Sequence, residues 1–541
     1  MKKFFDLQNS HRLIHLFSLG ILLTGIWAKL FPLGNAIYSD PFHHGEFVAS
    51  LPFVLAGNIN FFTIHGAMDW LPAWISHEIW GAHSYFLPTM LIHTSLDALA
   101  SLFLYFVIAL LTGRDNKYRA VILMISAVSA IYLVGGRDLF LVLTIFLYFL
   151  CERSSFQWGR NLLEITLGVS LAVNLFWSFD RGIAGIAGIG LACAILVIAE
   201  RRYIISIASF AISIWILHWI DVLSFANYLD NFKFLLATSS QWRYGYTKFM
   251  PVFLTALVAI PNGWAIYYLG KQFHQNSRTD WRKTASLLLL AVSTILMFKI
   301  GTNRADNQHV IMTLWMPALA YLYLQEEYRG KLSMLASGTI IISMVWLALI
   351  VDYKWLFLGA LVPAIYVIQT RYPKFTGGLI LPKLVGFALG VILLFSNIHI
   401  ISSNYSQNGY LWMSQLSAPP TNRSLVSKSI QWVSAEMLRA GSHCVFDLSN
   451  NGVINGVTGL PACTKYTYPV YATQRYEADM LEQLQQQNPP VVVFSSTFWS
   501  FKIDGKSMHD RFPALKDYLV KTYPYEKCDF GYCLRYINQP G

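Results

Sequence analysis

The chain has 541 residues, 55% of them hydrophobic and 13% charged, with a mean hydropathy of +0.45. Soluble domains carry about 25% charged residues, so this composition excludes an ordinary cytosolic enzyme and indicates a polytopic membrane protein. The formal net charge of +11 does not indicate nucleic-acid binding, because residues 401–541 hold 12 Lys/Arg against 10 Asp/Glu and the remaining basic excess follows the loops between apolar runs.

Apolar runs of roughly 17 to 25 residues, long enough to cross a ~30 Å hydrocarbon core as helix, recur from Leu13 to about Ile400. They predict a mainly α, transmembrane helical bundle of about 13 spans over residues 1–400. Residues 401–541 turn polar and read as one small C-terminal α/β domain. Lys2, Lys3 and Arg12 place the N-terminus in the cytoplasm. Loops near residues 113–119, 151–160, 200–203, 271–283, 326–331 and 371–383 then fall inside, and with the N-terminus they hold 19 of the 28 Lys/Arg of residues 1–400. An odd number of spans puts the C-terminal domain outside, in the periplasm, with the bundle in the inner membrane of a bacterium. The first run has basic residues before it like a signal peptide, but "AKLFPLGNA" is a poor cleavage site and further spans follow, so it is read as a retained helix.

The first external connection, residues 34–87, is far longer than an ordinary loop and contains no Lys or Arg. Its helical apolar spacing and Trp70, Trp74 and Trp80 predict short helices along the outer membrane surface. Later external loops are "GGRD" at 135–138, "SFDRGIAG" at 178–185, a stretch from Asp221 to about Lys248, and "KIGTNRADNQH" at 299–309. The run "GIAGIAGIG" follows no predicted strand and lacks the Lys-Ser/Thr ending of a phosphate loop, so it reads as close helix packing.

In the C-terminal domain "HCVFDLSN" and "PPVVVFSS" read as strands, "TQRYEADMLEQLQQQ" and "FPALKDYLVKTY" as helices, and "YEKCDFGYCLRY" as a hairpin. Cys444, Cys463, Cys528 and Cys533 lie there, an even number in an oxidising compartment, which predicts two disulfides. Of three possible pairings, Cys444 with Cys463 and Cys528 with Cys533 is the most local.

Once sides are assigned, the unusual polar groups converge outside. Asp40, His43, His44 and Glu46 stand in "SDPFHHGEF", followed by His65 and Asp69. Asp180 with Arg181, then Arg243, then Arg304 with Asp306 and His309 map to the same face. Charges at membrane level cost several kcal/mol unless paired or hydrated, so a set on one face predicts a shared polar cavity. Asp40 and Glu46 are the candidate general bases, in a segment without a cation to depress a carboxylate pKa. The competing reading of Asp40 is an N-cap for a helix starting at Pro41. Asp40, His43, His44 and Glu46 are also the candidate ligands of a divalent metal, Mg or Mn, although no recognised metal spacing is present and no cofactor is certain. In "NRADNQH" Arg304 offers a planar fork suited to phosphate oxygens with Asp306 to orient it. Arg181 beside Asp180 reads equally as a phosphate contact or a structural pair.

"DPFHHGEFVA", "IHGAMDWLPAWISHEIWG", "FDRGIAG", "NRADNQHV" and the "FDLSNNGVINGVTGLPACTKYTYPVYA" segment, in that order, resemble bacterial GT-C superfamily membrane glycosyltransferases. The resemblance spans most of the chain. It implies a GT-C-like bundle, a polyprenyl-phosphate-linked sugar as donor, and an envelope glycan, lipid or protein as acceptor, among membrane lipids and without nucleic acid. It also implies that the acid of the first external loop, here Asp40 with Glu46 second, is the base, and that Arg304 with Arg181 or Arg243 meets the lipid phosphate. Many such enzymes carry an Asp-Glu or Asp-x-Asp pair in this loop, whereas here Pro41 follows Asp40 and the acids are six residues apart. The alternatives are an O-antigen polymerase or ligase, which a basic-rich external loop would favour, and a lipid-linked-sugar transporter or flippase, which internal repeats would favour.

Overall fold

The computed structural model describes residues 7–30, 41–57, 61–81, 87–113, 116, 119–154, 157–219, 225–238, 250–274, 280–304, 312–328, 356–371, 427–503 and 505–540, with scattered helical positions between 334 and 402. The chain forms two compact units. Unit 1 comprises Met1–Phe31, Ser95–Ile216 and Gly245–Ser406, and unit 2 comprises Pro32–Thr94, Leu217–Tyr244 and Gln407–Gly541.

Unit 1 is helical. Thr89–Leu111, which begins at the border of unit 2, Phe179–Glu200 and Trp281–Gly301 are long and apolar enough to cross a membrane. Arg119–Leu133 and Gly136–Arg153 together make a fourth candidate span bent by 102°. The described residues therefore supply three or four of the about thirteen spans expected. The bend sits at the glycine pair of "GGRD": Gly135 is extended (φ −129°, ψ −179°) and its N–H is captured by the Asp138 carboxylate at 3.2 Å, so the helix stops and restarts. Buried Leu, Ile, Ala and aromatic side chains from these helices form one core.

The glycine run is a packing seam. Phe179–Gly185 passes through a wide π-type turn, Ile186–Gly190, into Leu191–Glu200. A Cβ on Gly188 would lie 2.9 Å from the Leu289 carbonyl oxygen of Trp281–Arg304, and one on Gly182 would lie 2.5 Å from the Leu175 Cα. Only hydrogen fits at either position.

Unit 2 differs from the sequence-based expectation of a surface loop and a separate C-terminal domain. Phe42 and Ala49 from residues 34–87, Phe234 from residues 225–238 and Phe446, Tyr468, Tyr471 and Leu519 from the C-terminal region bury their side chains in one core. A parallel bridge joins Phe62 to Tyr466, and the Phe62 N–H donates to the Lys465 carbonyl at 2.7 Å. None of these segments has enough apolar surface alone, so they fold together. The short helices expected in residues 34–87 are present as Pro41–Ala49, Leu51–Leu55 and Leu71–Trp80, the last showing Trp74, Ile79 and Trp80 exposed.

Among the described residues five strands occur: β1 Val491–Phe494, β2 Lys502–Ile503, β3 Lys506–Ser507, β4 Tyr525–Asp529 and β5 Tyr532–Tyr536. An antiparallel sheet runs β1-β5-β4, and β2 pairs with β3. The predicted hairpin is β4–β5, turning at Phe530 and Gly531, both at positive φ (49° and 80°). Cys528 faces Cys533 in its register, and the two are disulfide-bonded, as are Cys444 and Cys463. The expected helices are Glu477–Gln487 and Pro513–Thr522. "HCVFDLSN" forms no regular strand; Val445 and Asp447 make isolated parallel bridges to Ala462 and Val493, because the chain turns at Asn450.

Candidate functional site

Helix Pro41–Ala49 begins at the residue after Asp40. Asp40, Arg243, Asp306 and His309, and the side chains of His44 and Arg304, lie outside the described residues. His43, Glu46, His65, Asp69, Asp180 and Arg181 are described, and they divide between the two units.

In unit 2 Glu46 is buried, 8% exposed, and its carboxylate accepts a hydrogen bond from the Tyr471 hydroxyl. Burial, then the adjacent Glu46 carboxylate, hold the Tyr471 hydroxyl well above its ordinary pKa, with Tyr468 and Asp69 adding to the rise. The phenol is therefore always the donor. One turn earlier on the helix, the Phe42 carbonyl accepts from the Tyr468 hydroxyl at 2.7 Å, and that hydroxyl in turn accepts the Gly452 N–H at 3.0 Å. His43 stacks on Trp499, ring centroids 5.8 Å apart, and Phe47 on His93 at 3.5 Å.

The loop before Leu71–Trp80 is wound around Asp69. Its Oδ2 accepts the N–H groups of His65 at 2.9 Å and Ile64 at 3.2 Å, and its Oδ1 meets His65 Nδ1 at 2.7 Å. A carboxylate only accepts, so Nδ1 carries the hydrogen of this contact. Gly66 at φ 117° makes this tight path. Asp69 is 3% exposed, and the short turn holding it packs against Pro41–Ala49. Glu46, Tyr471, Asp69 and His65 thus form one polar cluster, without a Lys or Arg among the donors described for either carboxylate.

Unit 1 holds the other pair. Arg181, 2% exposed, donates from Nε to Asp138 Oδ1 at 2.8 Å and from Nη1 to Asp180 Oδ2 at 2.9 Å. Asp180 also accepts from Arg137 and, at 2.8 Å, from the Ser178 hydroxyl, while Asp97 accepts the Gly136 N–H. Arg181 is thus paired with two carboxylates, the structural one of the two readings its sequence offers, and Asp180 is held with it.

Sequence reasoning missed Tyr468 and Tyr471 in unit 2, and Asp97, Arg137 and Asp138 in unit 1. The tyrosines stand in "YTYPVY", and their spacing of three matching the one-turn spacing of Phe42 and Glu46 was the only signal. For the candidate metal set, Asp40 and the His44 side chain are outside the described residues, while Glu46 is occupied by Tyr471. Among the described residues the one group of three potential ligands is Glu526, Cys528 and Cys533, whose sulfurs are joined to each other and so are not thiolate ligands.

No protein-family model matches the sequence, and no curated protein matches it. Over 97% of its length the chain is similar to the crystal structure of ArnT from Cupriavidus metallidurans in the apo state (TM-score 0.48, 12% identity, 98% of that chain). It is likewise similar to ArnT bound to undecaprenyl phosphate (TM-score 0.46, 12% identity, 97% of each chain). Over 94% of its length it is similar to the apo form of the Archaeoglobus fulgidus oligosaccharyltransferase (TM-score 0.42, 11% identity, 72% of that chain).

Proposed function

We propose that the chain is a GT-C-type membrane glycosyltransferase that moves a sugar, hexosyl or pentosyl, from a polyprenyl-phosphate donor to an envelope glycan, lipid or protein at the outer face of the inner membrane. The observation that carries this reading is the polar cluster of unit 2. The acids of a segment without Lys or Arg are gathered there and met by a phenol, an imidazole and backbone amides. The segment that carries Asp40 supplies no Lys or Arg to depress a carboxylate pKa, which suits a general base.

In the proposed step Asp40 takes the proton of an acceptor hydroxyl as that oxygen attacks the anomeric carbon. The carbon–oxygen bond to phosphate breaks, the polyprenyl phosphate leaves with the electron pair, and one displacement inverts the centre. Arg304, with Arg243, holds the leaving phosphate. Glu46, bound to Tyr471, serves as an anchor rather than as the base, and Arg181 shapes unit 1. A lipid-linked donor needs no nucleotide-binding domain, and the sequence carries no glycine fingerprint for one.

The test is transfer from a radiolabelled polyprenyl-phosphate sugar panel by the purified full chain. Asp40→Asn is expected to lower kcat by about 10²- to 10⁴-fold, and Arg304→Ala to weaken donor use. Full transfer by both variants sinks the assignment. A reporter fused after residue 400 is expected to be active only in the periplasm; cytoplasmic activity would remove the sidedness on which the pocket rests.

A further inference from the structure

The Glu46 and Phe42 contacts lie on one face of Pro41–Ala49, four positions apart, so they are stacked one turn above the other. Their partners, Tyr471 and Tyr468, are three positions apart around the short helix Pro469–Ala472. Each hydroxyl donates to its own target: Tyr471 to the Glu46 carboxylate and Tyr468 to the Phe42 carbonyl at 2.7 Å. The rings themselves bracket Phe42, with centroids 5.1 Å (Tyr468) and 6.3 Å (Tyr471) away. Between the two hydroxyls the backbones nearly touch. A Cβ on Gly45 would lie 2.7 Å from the Gly452 nitrogen, and one on Gly452 would lie 2.7 Å from the Ala49 Cβ.

The Gly452 side of this contact is itself held. Asp447 accepts the N–H groups of Ser449 at 2.7 Å and Asn451 at 2.8 Å, and Asn451 donates to the Tyr532 hydroxyl at 2.7 Å. The Asn450 side-chain oxygen accepts the Val470 N–H at 3.0 Å, which ties the turn to the tyrosine-bearing helix. A hydroxyl pair, a glycine contact and a pinned turn all act on the same two turns of helix, and that helix starts one residue after Asp40.

We propose that Tyr468 and Tyr471 are positioning residues, a two-point clamp by which the C-terminal region fixes helix Pro41–Ala49, the helix that follows Asp40 in the chain, for sugar transfer. The inference rests on the reading of Asp40 as the base. It makes the C-terminal region part of the catalytic apparatus. Small displacements of a reacting group are enough to lose large factors in rate, so the clamp acts on kcat and leaves donor binding alone.

The experiment is steady-state transfer by the full-length enzyme, normalised to folded protein, for Tyr471→Phe, Glu46→Gln and the double variant. Tyr471→Phe is expected to lower kcat tenfold or more with the donor KM within about twofold of wild type. Glu46→Gln keeps an acceptor oxygen for the phenol and is expected to lose less than Tyr471→Phe. The double variant is expected to lose no more than Tyr471→Phe, since both changes break one bond. Wild-type kcat in Tyr471→Phe, or losses that multiply in the double variant, would overturn the clamp. If Tyr471→Phe does not accumulate, Tyr468→Phe carries the same criteria. A dead Asp40→Asn enzyme beside a fully active Tyr471→Phe enzyme would remove the clamp alone, whereas an active Asp40→Asn enzyme would remove the functional reading beneath it.

Discussion

In unit 1, Asp138 and Asp180 share the guanidinium of Arg181, and Asp180 takes that of Arg137 as well. In unit 2, Glu46 and Asp69 are buried, yet their described donors are the Tyr471 phenol, the His65 imidazole and two backbone amides. Both solutions satisfy buried oxygens, but they leave different chemistry available. A carboxylate matched to a guanidinium is fixed in charge and in place. One held by a phenol, an imidazole or backbone amides has its oxygens satisfied without a guanidinium. The segregation follows the sequence, since residues 34–87 contain no Lys or Arg.

The sharpest way to break this comparison is to remove the cation of unit 1. Arg181→Ala leaves the buried Asp138 without the guanidinium of Arg181, while Asp180 keeps that of Arg137, and is expected to destabilise the protein by about 3–5 kcal/mol. Thermal unfolding in detergent should show an early transition, and a loss under about 1 kcal/mol would mean that the network is far better hydrated than its burial implies.

Next in size is the covalent support of unit 2. Cys444 and Cys463 are 19 residues apart and Cys528 and Cys533 only 5, so loop-closure entropy assigns about 3 kcal/mol to the first bond and about 2 kcal/mol to the second. The cysteines of unit 1, Cys151 and Cys193, are free and buried. Reductant is therefore expected to lower the unfolding temperature of unit 2 and to spare unit 1. Limited proteolysis with and without reductant reads this directly, and equal sensitivity of both units would refute it.

Tyr471→Phe should cost about 1–3 kcal/mol of stability, because a buried acceptor loses a donor without losing a charge partner. A cost as large as that of Arg181→Ala would erase the distinction between the two kinds of site. Denaturant unfolding of both variants side by side makes the measurement.

Local features of unit 2 were legible in the sequence. "CDFGYC" reads as a hairpin because its cysteines flank a Phe-Gly turn that only a tight reversal explains. Glu477–Gln487 and Pro513–Thr522 read as helices from their periodicity. The buried constellations were not legible. Arg181 meets Asp138 across 43 residues, and Tyr471 meets Glu46 across 425. In the first case the adjacent Asp180 supplied a sufficient local partner. In the second a tyrosine in "YTYPVY" looks like any aromatic of a half-buried strand. The long first segment reads as a surface loop because its helices are short; its apolar faces are completed by Phe234 and by residues some 400 positions away, which periodicity does not encode.

Asp447 makes the comparison quantitative in the smallest of these effects. Like Glu46 it is a buried carboxyl of unit 2 without a guanidinium, and its donors are the amides of Ser449 and Asn451. Burial outweighs those two bonds and pushes its pKa up to about 6 from the ordinary 3.8. The folded state therefore binds a proton more tightly than the unfolded chain does. The stability this contributes is complete below pH 3.8 and is lost as pH rises through about 6. Between pH 5 and pH 7 the loss is about 1 kcal/mol. Asp447→Asn cannot titrate, so its stability difference from wild type should shift by that amount across the same window, the variant gaining relative to wild type as pH rises. A constant difference would mean that the two amides already offset burial at position 447, and that backbone donors can hold a carboxylate as firmly in unit 2 as the guanidinium of Arg181 does in unit 1.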